Sequence, residues 1–328
     1  MSFPQDEQED KLKLFKRKSS QHQGVTGVTF FSDGLSLVHL VQEETRPRLV
    51  FSECVYCSAS QFSEELQKLV AKYNLAHSRT VAVMARGSYN LIQIDPPDVP
   101  EAEFREAVRW QIKDLLDFPA DQAVVDTFSS ETTQNQSLYF AVAASQERVW
   151  QVVHALRDAE LEIGAIDIPE LALRSLISLL PDDGRGLALL SLWKDSGLIT
   201  IVRNGELCMA RRINLGVQEL VAAADPDSEI DGVDISEAQQ NILDAVILEI
   251  QRSLDYYESS VSRQSVSTVY IAPLSDPIPG LQSYLDTYLA PEIHPLNVSE
   301  LLADCTEDDA QLSHCMSAIG AALRTEWS

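Results

Sequence analysis

The stretch Leu187–Ile213, LALLSLWKDSGLITIVRNGELCMARRI, decides how this chain is read. Leu187 to Trp193 is a run of strand-forming and apolar residues, and Asp195-Ser196-Gly197 supplies a turn. Leu198 to Arg203 is a second such run, and Asn204-Gly205 is a hairpin turn because both residues tolerate positive φ. Glu206 to Ile213 completes an antiparallel triplet. The same pattern occurs once before. Val25 to Phe31, the Asp33-Gly34 turn, Leu35 to Gln42 and Arg48 to Cys57 form the earlier triplet. A triplet opening each half points to a duplicated unit rather than a short-period repeat.

Working outward, a helix is expected over Ser60–Tyr73, with strands at Thr80–Ala85 and Tyr89–Ile94 around Arg86-Gly87-Ser88. Pro100 and Glu101 suit a helix start. Its apolar stripe is Phe104, Ala107, Val108, Ile112, Leu115 and Leu116, and Phe118-Pro119 stops it. Strands at Val124–Phe128 and Leu138–Ala144 follow, then a helix over Gln146–Ala159, a strand at Ile163–Asp167 and a helix over Glu170–Leu180. Asp182-Asp183-Gly184-Arg185-Gly186 reads as the linker between halves. Beyond the second triplet, a helix over Ser236–Ser260 carries Leu243, Ile247, Ile250, Leu254 and Tyr257 on one stripe. Barely three heptads long, it reads as core packing rather than coiled coil. A strand at Val266–Ala272 and helices over Leu281–Tyr288 and Asp309–Leu323 complete the chain. The expected fold is therefore α/β, a duplicated, actin-like (ribonuclease H-like) two-domain fold. Its units are a first domain over 24–183 and a second domain over 184–328.

Among 328 residues, 25 Lys+Arg stand against 50 Asp+Glu, a formal charge of −25. Such a surface repels phosphate backbones, which excludes nucleic acid as a partner. Five Cys, an odd number without a signal-peptide pattern, point to a reducing compartment. Cys54 and Cys57 form a lone CxxC on a strand, where residues three apart face opposite ways, so no metal is expected there. No apolar run approaches the roughly 20 residues that span a bilayer. Residues 1–23 read as a disordered charged leader. Its Lys11–Lys18 cluster offers weak attraction to anionic lipid, about 1 kcal/mol per basic residue at the surface and screened at physiological salt. The acidic loop Asp227–Gly232 fails as a calcium site, because Ala238 stands where the chelating Glu would be. No GxSxG, HExxH, Walker A or GxGxxG pattern occurs.

Several stretches resemble the PilM family of type IV pilus assembly proteins, in particular its mannose-sensitive haemagglutinin (MSHA) pilus branch. KLKLFKRK at Lys11–Lys18 and GVTFFSDGLSLVHL at Gly27–Leu40 look like the family opening. FREAVRWQIKDLLDFPADQAVVD at Phe104–Asp126 is similar to its Trp-containing helix and Phe-Pro turn. EIQRSLDYYE at Glu249–Glu258 is the most specific match, and AIGAALR at Ala318–Arg324 resembles the C-terminal helix. The resemblance implies an actin-like fold with a small α+β insert in its first half, at about 94–144. It also implies a cytoplasmic protein, peripheral to the inner membrane, that binds the short cytoplasmic N-terminal tail of a PilN-like bitopic partner and docks pilus motor or platform proteins.

Departures from the family pattern fall at its nucleotide pocket. Against Gly-Ile-Asp-Ile-Gly-Ser-Ser-Ser-Val-Lys, Thr29 stands at the Asp, Phe31 at the second Gly and Ser36 at the Lys. Ser191-Leu192-Trp193 replaces the second Asp-x-Gly. Ala272-Pro273-Leu274-Ser275 replaces Ser-Gly-Gly-Gly, with Gly280 retained. Thr and Ser bring no charge to Mg²⁺, Phe and Trp fill space that Gly leaves open to phosphate, and Pro removes a donor. The expectation is a non-catalytic scaffold with no cofactor, ATP and Mg²⁺ not being favoured and residual nucleotide binding left open. The alternatives are an actin-like ATPase using Asp33 or Asp195, or a type II secretion GspL-like adaptor, which the lack of a following membrane span weighs against. The partner's tail is expected between the first domain and its insert, against Arg109, Trp110, Ile112, Leu116 and Phe118. Trp and Arg are the types enriched at binding hot spots.

Overall fold

The computed structural model describes residues 24–131, 137–223 and 237–324; the leader with Lys11–Lys18 and the loop Asp227–Gly232 lie outside the described residues. β1 (Val25–Phe31) turns at Ser32-Asp33 into β2 (Gly34–Val41), placing Phe31 opposite Gly34. β3 (Arg48–Tyr56) pairs on the far side of β2. α1 (Phe62–Tyr73) buries Leu66, Leu69 and Val70 and ends at Asn74, whose φ of 56° is the left-handed stop common at helix C-termini. The crossover delivers β4 (Arg79–Val83) parallel to β1.

A separate small unit interrupts the first half. β5 (Tyr89–Ile94), α2 (Glu101–Gln111), β6 (Ala123–Glu131) and β7 (Ser137–Ser145) build a three-stranded antiparallel sheet in the order β5-β7-β6. Tyr89 pairs with Ala144 and Ile94 with Tyr139, so all of β5 belongs to the insert. The insert therefore begins just after Arg86-Gly87-Ser88 and not at residue 94. Val108 of α2 packs on one face of the sheet with Ile94, Val125, Ala141 and Ala143. The opposite face carries Leu91, Val142 and Ala144 against Met84 and Ile168 of the first half. α3 (Gln146–Asp158) is capped by the Ser145 hydroxyl, which accepts from the Arg148 N–H at 3.4 Å. β8 (Glu162–Asp167) joins β4 in parallel, giving the order β3-β2-β1-β4-β8, and α4 (Pro169–Ile177) follows.

The second half repeats this plan. β9 (Leu187–Leu192), β10 (Gly197–Arg203) and β11 (Glu206–Ile213) form the second triplet. Every residue of β9 and β10 is buried, which is why both read as almost unbroken apolar runs. α5 (Val217–Ala222) and α6 (Glu237–Tyr256) lead to β12 (Thr268–Ile271). α7 (Leu281–Tyr288) leads to β13 (Glu292–Pro295). The order β11-β10-β9-β12-β13 matches the first sheet pairing for pairing, antiparallel in the triplet and parallel beyond it. Leu243, Ile247, Ile250 and Tyr257 lie buried in one core cluster, so the stripe along α6 is core packing.

One element crosses the expected boundary. The helix expected over Asp309–Leu323 is broken, and its second part, α8 (Met316–Ala322), is buried at all seven positions. α8 packs on the first half, although it follows the second half in sequence. A Cβ on Gly320 would lie 2.0 Å from the Ala172 carbonyl oxygen, and one on Gly27 1.9 Å from that of Ala318. Only glycine permits such an approach between backbones. Leu173 and Leu176 of α4, Leu189 and Leu198 of the second sheet, and Ile319 of α8 share one core cluster that joins the halves.

Candidate functional site

β1 and β9 both run towards a cleft of about 500 Å³ between the halves. Thr29, Phe31 and Asp33 line it from the first half, Ser191, Trp193 and Lys194 from the second. Pro273 and Asp276 after β12 and His314 before α8 add the remaining wall used below. Five of the seven pocket positions expected from sequence thus meet in one place. Ser36 and Gly280 do not. Ser36 is fully buried under the strand pair, opposite Thr29 and beside the Cys315 thiol. Gly280 instead caps α7 with a φ of 75°. Ser36 pairs with Thr29 and shares its face of the sheet, but Cys315 at the start of the C-terminal helix covers it, and Gly280 stands at a helix start.

Aromatic side chains and one arginine crowd the cleft wall. Phe31 meets Tyr56 edge-on at 6.3 Å, and the face of Trp193 is covered by the Arg86 guanidinium at 4.0 Å. Three aromatic rings, Phe31, Tyr56 and Trp193, thus line the cleft. Asp33 is on the cleft wall, whereas Asp195 lies at an adjoining cavity, 4.0 Å from Arg86. Among the described residues no three His, Cys, Asp or Glu side chains converge on a metal position. The Thr29 and Ser191 hydroxyls are buried without a hydrogen-bond partner. Burial lowers the pKa of His314, whose Nε2 lies 3.2 Å from the Tyr56 hydroxyl, while Asp276 and Asp33 oppose that shift. The cysteines are free thiols, and burial pushes Cys54 up to about 11 and Cys315 to about 12, which makes them poor nucleophiles.

A buried polar junction beside the cleft was not legible beforehand. Glu170, only 2% exposed at the start of α4, accepts a hydrogen bond from the Tyr89 hydroxyl of the insert and lies 3.7 Å from Arg212 of β11. One carboxylate thus touches the first half, the insert and the second half. Burial raises its pKa, with Tyr89 and Arg212 pulling the other way. Three residues earlier, buried Asp167 pairs with Arg324 at 3.2 Å. The sequence offers only an acid at a helix start here, which ordinarily signals a surface turn.

The expected docking helix is split between core and surface. Ile112 is 1% exposed and belongs to the insert's core, so it is corrected from a partner contact to a packing residue. Leu116 and Phe118 are half-buried against the same core. Leu115, expected on the apolar stripe, is instead exposed, as is Trp110, at 55%. The Trp110 indole N–H donates to Glu106 at 2.8 Å, and the same carboxylate pairs with Arg109 at 2.5 Å. α2 covers the insert face opposite the seam with the first half, so Arg109 and Trp110 do not line that seam.

No family model and no curated protein sequence matches the chain. Solved structures do. A chain of a PilM–PilN type IV pilus biogenesis complex is 21% identical, over 92% of this chain and 98% of that one, with a TM-score of 0.71. A Bacteroides thetaiotaomicron protein with an actin-like ATPase fold and unknown function is 11% identical over 85% and 93%, with a TM-score of 0.51. The ethanolamine utilization protein EutJ of Carboxydothermus hydrogenoformans is 12% identical over 91% and 88%, with a TM-score of 0.50. The strand order shared by the two sheets and these likenesses together make the fold actin-like.

Proposed function

We propose that this chain is a non-catalytic PilM-type scaffold of a type IV pilus inner-membrane assembly platform, of the MSHA branch and MshI-like. In this role it holds the cytoplasmic tail of a PilN-like membrane partner and docks pilus motor or platform proteins. The observation that carries the non-catalytic part is the Arg86 guanidinium lying on Trp193 in the cleft. The family part rests on the quoted motifs and on a correspondence that runs through 98% of the PilM–PilN complex chain. Among the described residues no helix is long and apolar enough to cross a membrane, so attachment is assigned to the partner. The docking surface is assigned to the insert, with Trp110 and Leu115 as its exposed apolar groups. A pull-down against membrane proteins with short cytoplasmic N-terminal tails tests it. Capture of a PilN-like protein is expected, and its absence from the bound fraction counts against the reading.

A second reading, an actin-like ATPase, is favoured by Asp33 on the cleft wall. Phosphate release with ATP and Mg²⁺ separates the two. The scaffold gives no turnover above background. Turnover abolished by Asp33→Asn promotes the ATPase.

A further inference from the structure

Next to the cleft lies a smaller cavity of about 240 Å³, where the first half, the insert and the second half meet. Arg86 and Arg212 both line it. Each guanidinium lies on an aromatic ring, Arg86 on Trp193 at 4.0 Å and Arg212 on Tyr89 at 4.8 Å. Stacking engages the face of a guanidinium and leaves its in-plane N–H edge to donate.

Neither cation is closely neutralised. Asp195 stands 4.0 Å from Arg86, and Glu170 stands 3.7 Å from Arg212. Charge-assisted hydrogen bonds are shorter, about 2.7–2.9 Å. The Arg86 Nε is buried without an acceptor. Burial is the main cause of a lowered pKa at Arg86, opposed by Asp195, Tyr89 and Asp33, with a smaller push from Arg212 in the direction of burial. Burial also favours the neutral form of Glu170, which weakens it as a counterion. In a chain of formal charge −25, two guanidinium groups thus line one cavity, each with its carboxylate partner at 3.7–4.0 Å rather than at charge-assisted hydrogen-bond distance.

We propose that this cavity binds a carboxylate, whose two oxygens bridge the free edges of Arg86 and Arg212. A planar, singly charged group matches two guanidinium edges. A polyphosphate does not suit it, since Asp195 and Glu170 also line the cavity. The carboxylate is either free in solution or the side chain of an Asp or Glu on the partner's tail. The second source rests on the scaffold reading above.

The test uses the full chain in two arms. In the first, thermal unfolding is followed as succinate replaces chloride at constant ionic strength. In the second, the tail of the PilN-like partner is titrated with each of its Asp and Glu residues in turn changed to Asn or Gln. Both arms are repeated with Arg86→Gln and Asn214→Asp. Asn214 is exposed on the cavity wall, so its change places a competing carboxylate there while leaving the core intact. The expected result is a succinate-dependent rise in midpoint that both variants lose, or a roughly tenfold fall in tail affinity that is not additive with removal of one tail acid. The arm that responds identifies the source. No response in either arm, or a response that both variants keep, overturns the proposal. A tail that fails to bind the unaltered chain counts against the scaffold reading, and the succinate arm alone then decides the carboxylate site.

Discussion

α8 and α2 are both helices whose sequences pointed to one family, yet they meet the rest of the molecule in opposite ways. All seven residues of α8 are buried. α2 buries only Val108 of its eleven, and leaves Trp110 more than half exposed. α8 is fixed by backbone contact: Gly320 lies against Ala172 and Ala318 against Gly27. α2 rests on the insert's sheet through a few side chains and presents the rest outward. The difference separates two reasons for a residue to be where it is. In α8 the small residues are explained by folding alone. In α2 the exposed indole contributes little to folding, and its large apolar surface is free for binding.

The comparison breaks first at Gly320. Gly320→Val should be the most destabilising change considered, because the obstacle is the Ala172 carbonyl and not a side chain that can move. Overpacking costs about 1–3 kcal/mol and occasionally more, so a loss of about 3 kcal/mol or more is expected in urea unfolding, with an unchanged m-value. A loss under about 1 kcal/mol would mean that the two helices separate easily and that α8 is not locked.

Ile112→Ala comes next and probes the insert from inside. Ile112 is 1% exposed among Ile94, Val108 and Val125. Truncating a buried Ile to Ala costs about 2–5 kcal/mol. The loss should be confined to the insert, so hydrogen exchange should quicken in β5, β6 and β7 while the two five-stranded sheets stay protected. Uniform loss of protection would show that insert and halves unfold as one cooperative unit.

Much of this architecture was visible as pattern. Runs such as LALLSL and GLITIVR are buried on both faces and announce themselves by apolar density. Asn204-Gly205 fixed the β10–β11 hairpin because its φ values of 52° and 79° favour those residue types. What stayed hidden depends on residues far apart in sequence. Nothing near Glu170 announces Arg212, and nothing in the C-terminal AIGAALR says that it packs on α4. The insert's start was missed because Tyr89–Ile94 reads as a strand whichever sheet it joins. Ser36 shares a face with Thr29, and what separates it from the cleft is the packing of Cys315 and α8 on β2, which is remote in sequence.

Glu170 gives a smaller effect with a definite sign. Its folded pKa lies above the ordinary value because of burial. Between those two values the folded protein binds more protons than the unfolded one, so this group's contribution to stability falls as pH rises. Glu170→Gln removes that dependence and keeps an oxygen to accept from the Tyr89 hydroxyl. The variant's melting midpoint relative to the unaltered protein should therefore improve from about pH 4 towards neutrality. A relative midpoint that worsens over that range would mean that attraction to Arg212 outweighs burial.

Trp110→Ala should have the smallest effect on the fold and the most on partner binding. The indole is 55% exposed, and its hydrogen bond goes to a neighbour on the same helix, Glu106. An exposed contact within one helix is worth about 0.2–0.5 kcal/mol, so the unfolding midpoint should hardly move. If the face around Trp110 and Leu115 receives the partner's tail, truncating the indole should weaken binding by roughly 2 kcal/mol, as at other aromatic hot spots. Arg109→Ala refines the result, because Arg109 and Trp110 share the Glu106 carboxylate. Losing Arg109 leaves Glu106 to the indole and should alter affinity less than losing Trp110 does. Calorimetric titration of the tail into each variant, with folding checked by circular dichroism, measures both. Unchanged affinity in both variants would move docking off α2. The seam between the first half and the insert, lined by Met84, Leu91, Val142 and Ile168, would then be the place to look.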